Sequence, residues 1–318
     1  MAKQQEKVDR ARLAEVVEDI VGRMEVIERF SEVADHLEDV ADLETDRFGI
    51  AVFTHDGHVV KGGDADEPFA IQSISKMFAL TLALRAFGDD VWKRVGREPS
   101  GDPFNSMVDL ERMKGFPRNP FINTGALVVC DMLLGIDARS DVPRTVKALI
   151  SEQLGKEKIG EDRSIIAADG KDAGFSSRSI AYMLKGFGNL EHDVEQVVGL
   201  YVEQCAVELN CVQLAKAGQY LVHDGDDGAQ EGGRERAVLA RRINALMLTC
   251  GQYDGSGDFA FRVGMPAKSG VSGAILAVAP DKASVAVWSP TLDANGNSLL
   301  GTLALELLSE KMGWSVFG

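Results

Sequence analysis

The chain has 318 residues, of which 45% are hydrophobic and 26% charged, and carries a formal net charge of −15. That composition describes a packed globular protein and excludes a disordered one. So acidic a surface argues against nucleic acid and anionic membranes as partners, and no apolar run approaches the roughly 18 residues that a membrane span needs.

The N-terminal stretch MAKQQEKVDRARLAEVVEDI is charged and helical, without the apolar centre of a leader peptide. Leu13, Val16, Val17, Ile20, Val21 and Met24 recur at helical spacing and predict an amphipathic helix. A second short helix is expected from Phe30 to Val40. The period then changes. Phe48–Thr54 and the HVVKGG that follows read as a β-hairpin turning on Asp56-Gly57. Helical patterns fill the middle of the chain, with a polar, glycine-rich loop at His223–Arg236. Two apolar, β-branched segments, Val271–Pro280 and Ala283–Pro290, read as late strands before a last helix.

A hairpin is not stable alone, so the early hairpin and the late strands are expected to share one sheet. The resulting expectation is an α+β fold: an antiparallel sheet flanked by helices, with a helical subdomain at roughly 77–250 inserted within a single unit spanning 1–318. The four cysteines, Cys130, Cys205, Cys211 and Cys250, match no zinc or redox spacing. Reduced thiols in a cytoplasmic protein are the expectation.

The segment FAIQSISKMFALTLAL places Ser73 and Lys76 one helical turn apart, on one face. A serine hydroxyl is a poor nucleophile until a base takes its proton. A lysine serves as that base only when burial or a nearby cation lowers its pKa. The apolar run after Lys76 supplies burial. The competing reading is a solvated first turn of an ordinary helix. Lys268-Ser269-Gly270 stands directly before the late strand that starts at Val271, and S-x-x-K followed by K-[ST]-G is the order found in serine acyl-enzymes. Lys268 is a second cation, able to lower the Lys76 pKa and hold an anionic group. An edge strand beside Ser73 also offers a backbone N–H for an oxyanion hole.

Other patterns carry less. His55-Asp56-Gly57-His58 reads better as a turn than as a metal cluster, and no metal site is expected. The stretch Gly270–Gly273 lacks the spacing of a nucleophile elbow. The loop near residue 226 is acidic and makes a poor phosphate cradle.

Taken together, GIAVFTHDGHVVKGGDADEPFAIQSISK, EPSGDPFNS, NPFINTGALVV, LYVEQCAVEL and GQYDGSGDFAFRVGMPAKSGVSGAILAVAP resemble the serine-dependent glutaminases. The similarity runs from about Val33 to the C-terminus. It implies a β-lactamase/transpeptidase-like fold, L-glutamine as substrate, no cofactor and a homodimer or homotetramer. It implies Ser73 as nucleophile, Lys76 as base and Tyr253 as an aid to proton transfer. Val271 would complete the oxyanion hole with Ser73. Gln72, Asn123 and Tyr201 fall at positions beside the substrate. Where the family reads roughly VADYIP, residues 33–38 read VADHLE, so His36 replaces a tyrosine. Ser179 stands where the family has an asparagine for the free amino-acid end of glutamine. Asp172, or Asp169 with an insertion, stands for its glutamate.

Overall fold

The computed structural model describes residues 8–31, 47–101, 107–169, 172–222 and 232–318. The chain begins with α1 (Arg10–Ser31), β1 (Gly49–Thr54), β2 (Val59–Gly63) and a short β3 (Phe69–Ala70). Helices then dominate: α2 (Ser75–Phe87), α3 (Met107–Arg112), α4 (Asn123–Leu134) and α5 (Val146–Leu154). After β4 (Gly160–Glu161) come α6 (Arg163–Asp169), α7 (Asp172–Gly186) and α8 (Val194–Cys205). Next are β5 (Val207–Leu209), α9 (Cys211–Ala217), α10 (Gly233–Cys250) and α11 (Ser256–Arg262). The chain closes with β6 (Ala267–Ser269), β7 (Ala274–Ala279), β8 (Ala283–Trp288) and α12 (Leu299–Met312).

Strands from the two ends of the sequence form one antiparallel sheet in the order β2-β1-β8-β7-β6. The expected hairpin is β1–β2, with Gly57 at φ 82° in its turn, and β1 pairs directly with β8, Val52 opposite Val285. A second small sheet, β3-β5-β4, was not foreseen, because two- and three-residue strands leave no periodic pattern.

Side chains alternate across the main sheet with period two. Ile50, Val52, Ile275, Ala277, Val285 and Val287 pack on one face with Leu13, Val17, Ile20 and Met24 of α1 and Leu300, Leu305 and Leu308 of α12. Ala51, Leu276, Val278, Ala286 and Trp288 face the helices of the middle segment. Both faces of β7 and β8 are covered, so both strands are buried throughout and apolar rather than alternating, except for Ser284, whose hydroxyl donates to the Ala215 carbonyl. That explains how they read from sequence.

Helix α2 is buried from Ser75 through Leu84. A helix buried on all sides takes apolar residues all round, and burying each Leu or Phe contributes about 1.5–3 kcal/mol. Three expectations need adjustment. Helix α1 continues to Ser31, and most of the helix expected at Phe30–Val40 lies outside the described residues, as does His36. Residues 223–231 also lie outside them, and α10 has already begun at Gly233, inside the expected loop. The Lys268-Ser269-Gly270 triplet does come just before β7, but Lys268 and Ser269 already end a separate short strand, β6, at the sheet's edge, joined to β7 by a turn.

Candidate active site

Ser73 sits in a 3-10 turn, Gln72–Ile74, that runs straight into α2. Gln72 holds a positive φ of 46°, a conformation that costs a non-glycine residue about 1–2 kcal/mol. The turn therefore sets the serine apart from the regular helix. Ser73 is 8% exposed and Lys76 only 1%, so the solvated-turn reading of this lysine does not hold.

Lys76 Nζ donates to Asn123 Oδ1 at 2.6 Å and to the Phe121 carbonyl at 3.3 Å. The Tyr201 hydroxyl donates to the same Asn123 oxygen at 3.1 Å, and its ring lies 5.8 Å from Nζ. Asn123 is the first residue of α4. The Asn119 side chain fixes the preceding bend by accepting from the N–H groups of Phe121 and Ile122. Burial pushes Lys76 down to about 8. Its hydrogen-bond partners are neutral oxygens, which leave that depression largely uncorrected.

Tyr253 comes from the other half of the chain, in the turn after α10, and also holds a positive φ, 51°. Its phenol hydrogen-bonds the Ser73 side chain and donates to the Ser269 carbonyl at 3.4 Å. Burial raises it to about 12 against those two bonds, so it stays protonated.

Lys268 is placed differently from the anion holder expected above. It is fully buried beneath Tyr253, its Nζ 4.3 Å from the ring centroid. Its protons go to the carbonyls of Gly251, at 3.0 Å, and Ser269, at 2.7 Å. Burial, and then the charge of Lys76, hold its pKa well below the usual lysine range. Val271 follows β6 in a turn and is 38% exposed. Gly270 makes this approach possible: a Cβ there would lie 2.7 Å from the Ile71 carbonyl oxygen and 3.6 Å from Gln72 Cβ. Among the described residues, none accepts a hydrogen bond from the Val271 N–H.

The structure thus brings together Ser73, Lys76, Asn123, Tyr201, Tyr253, Lys268 and Val271, with half-buried Gln72 beside them. Ser179 lies exposed on α7, and Asp172 opens that helix. Both oxygens of Asp169 accept from Arg178, at 2.9 and 3.0 Å, and Arg178 also pairs with Glu195 at 2.9 Å. Asp169 therefore lacks the uncommitted carboxylate expected for an ammonium group. The sequence reading missed Arg178 because an arginine in SSRSIAYML fits any exposed helix face. It also missed Cys205, whose Sγ lies 3.9 Å from Ser75 Oγ.

The family model described as Glutaminase matches residues 31–317. The chain belongs to the glutaminase family. A glutaminase of Methylobacterium radiotolerans is 49% identical over 312 residues, covering 96% of this chain and 99% of the relative. A glutaminase of Rhodopseudomonas palustris is 51% identical over 286 residues, covering 90% and 92%. Among solved structures, the probable glutaminase ybaS superposes with a TM-score of 0.81 at 32% identity, covering 98% and 99% of the two chains. The Bacillus subtilis glutaminase YbgJ, in covalent complex with 5-oxo-L-norleucine formed from 6-diazo-5-oxo-L-norleucine, has a TM-score of 0.77 at 29% identity, covering 96% and 99%. This member of the glutaminase family has the α+β, β-lactamase-like architecture of those neighbours. Among its described residues, no helix is long and apolar enough to cross a membrane.

Proposed function

We propose that this glutaminase hydrolyses L-glutamine to L-glutamate and ammonia through an acyl-enzyme on Ser73. The observation that carries the reading is one constellation. The Ser73 side chain is bonded to the Tyr253 phenol, and one turn further on Lys76 is buried and held on a neutral amide oxygen.

In this mechanism the neutral amine of Lys76 takes the Ser73 proton as Oγ attacks the side-chain amide carbon. The N–H groups of Ser73 and Val271 receive the developing oxyanion. The C–N bond then breaks. The departing nitrogen gains a proton passed from Lys76 by way of the Tyr253 hydroxyl, which gives one proton and regains another. Water attacks the γ-glutamyl ester, loses a proton to Lys76, and releases glutamate as Ser73 is reprotonated. Gln72, Asn123 and Tyr201 are assigned to the substrate's surroundings. Asp172 and Ser179 remain the candidates for its amino-acid end.

The diazo-norleucine analogue tests this reading directly. Mass spectrometry is expected to find one adduct, on Ser73, together with ammonia release that Ser73→Ala abolishes. An adduct elsewhere, or full activity in Ser73→Ala, would overturn it. A second reading is favoured by the Arg178–Asp169 pair: the same acyl-transfer chemistry on an amide that lacks a free α-amino group. Comparing glutamine with its N-acylated form separates the two. The expected homodimer or homotetramer is supported by exposed Phe261 and Phe317, and sedimentation tests it. A cytoplasmic location is part of the same proposal.

A further inference from the structure

Between β8 and α12 the chain runs through TLDANGNS, residues 291–298. Asp293 organises it. Its Oδ1 accepts from the N–H groups of Asn295 at 2.8 Å and Asn297 at 2.9 Å. Its backbone N–H donates to the Asn297 carbonyl at 2.8 Å, and its carbonyl accepts from Gly296, which holds φ 85°. The loop so formed lies against the site. A Cβ on Gly296 would be 3.8 Å from Val271 Cγ1 and 4.0 Å from Tyr253 Cε2.

Asn297 is 3% exposed, and both ends of its amide are used. Oδ1 accepts from Ser269 Oγ at 2.6 Å, and Nδ2 donates to the Gln252 carbonyl at 3.1 Å. The orientation follows from chemistry: a carbonyl only accepts, so the amino end must face Gln252, while a hydroxyl suits the other end. Ser269 stands two residues before Val271, and Gln252 one residue before Tyr253. One planar amide therefore spans the two backbone segments that deliver the oxyanion N–H and the phenol. The Gln252 carbonyl belongs to the peptide group whose plane sets φ of Tyr253. A non-glycine residue keeps a positive φ only where its surroundings over-determine it.

We propose that Asn297 is a positioning residue for acyl transfer, holding the Gln252–Tyr253 peptide, and with it the Tyr253 hydroxyl, in register with Ser73 and Val271. This rests on the catalytic reading of Tyr253 given above.

The test is a double-mutant cycle on the intact enzyme. Asn297→Ala is expected to lower kcat for glutamine by about tenfold to a hundredfold, with KM changed less than about twofold, as expected for a misplaced catalytic group. Asn297→Asp keeps the bond from Ser269 but turns an oxygen onto the Gln252 carbonyl. It is expected to lose kcat similarly, and it provides a near-isosteric variant should the alanine protein fail to fold. The deciding arm is Tyr253→Phe. In that background either Asn297 substitution is expected to cost almost nothing further, because the group it positions is gone. Equal losses in both backgrounds would overturn the proposal, as would a change confined to KM. Full activity in Tyr253→Phe alone would instead overturn the catalytic reading.

Discussion

Lys76 Nζ donates to Asn123 Oδ1 at 2.6 Å, and the Tyr201 hydroxyl donates to that same oxygen at 3.1 Å. A buried ammonium would ordinarily draw a carboxylate as partner. Here the acceptor is a neutral amide, itself drained by a second donor. The lysine is oriented without being locked into its charged form.

This fixes the pH dependence. The base works only when neutral, and burial holds Lys76 at about 8. The working fraction therefore rises with pH through about 8. Asn123→Asp places a carboxylate at the same atom and stabilises the ammonium. The rising limb of kcat/KM is expected to move at least about one pH unit upward, with activity at pH 7 falling about tenfold or more. A pH–rate profile of the two proteins checks this; an unmoved limb removes Lys76 from the role.

Tyr253 behaves oppositely. Burial lifts its phenol to about 12, so it remains a donor across the whole working range. Tyr253→Phe is expected to lower kcat by about 10²–10⁴, the usual span for a lost acid–base partner, without moving the limb near 8. A falling limb near pH 9–10 in the native enzyme that vanishes in Tyr253→Phe would contradict this assignment.

Gly270 is required for proximity. A Cβ there would meet the Ile71 carbonyl oxygen at 2.7 Å, pushing β6 and Val271 away from the nucleophile turn. Gly270→Ala is expected to destabilise by about 1–3 kcal/mol and to lower kcat more than it changes KM. Gly257→Ala, where a Cβ meets nothing within 4 Å, is the control. Thermal unfolding and steady-state rates on both variants decide the point.

Away from the chemistry, Asp131 anchors the helical segment. It is fully buried and takes Arg94 at 2.6 Å, with the backbone N–H groups of Glu191 and His192. Burial alone would raise its pKa; the His192 N–H, the Arg94 guanidinium and the Glu191 N–H outweigh it and hold it below the usual value. Its contribution is thus present above the unfolded carboxylate pKa of about 3.9 and is lost as pH falls through the lower folded value. Asp131→Asn leaves Arg94 half-buried and unpaired by its nearest acid, and about 3–5 kcal/mol of stability is expected to go. Denaturant unfolding at pH 7 and pH 3 measures it: the gap between native and variant should narrow at pH 3.

The sequence carried the fold where residues repeat with a period. Leu13, Val17, Ile20 and Met24 announced α1, and the apolar runs of β7 and β8 announced the sheet centre. Ser73 and Lys76 were legible because two short motifs stood in order. Asn297, Arg178 and the committed state of Asp169 were not. Their meaning comes from partners 28, 9 and 9 positions distant that no local spacing reveals. Lys268 was legible as important but misplaced, since a motif names a residue without saying whether it points at the ligand or beneath it.

The pairing of β1 with β8 also has a consequence in time. During synthesis the Ser73 half of the site emerges early, yet β1 has no inner partner until β8 leaves the ribosome with nearly all of the chain behind it. Contacts this distant in sequence form slowly and late. Meanwhile the helices between Ser75 and Cys250 are available to pack on one another as they emerge. A nascent chain therefore holds its serine and lysine long before it can set a tyrosine against them.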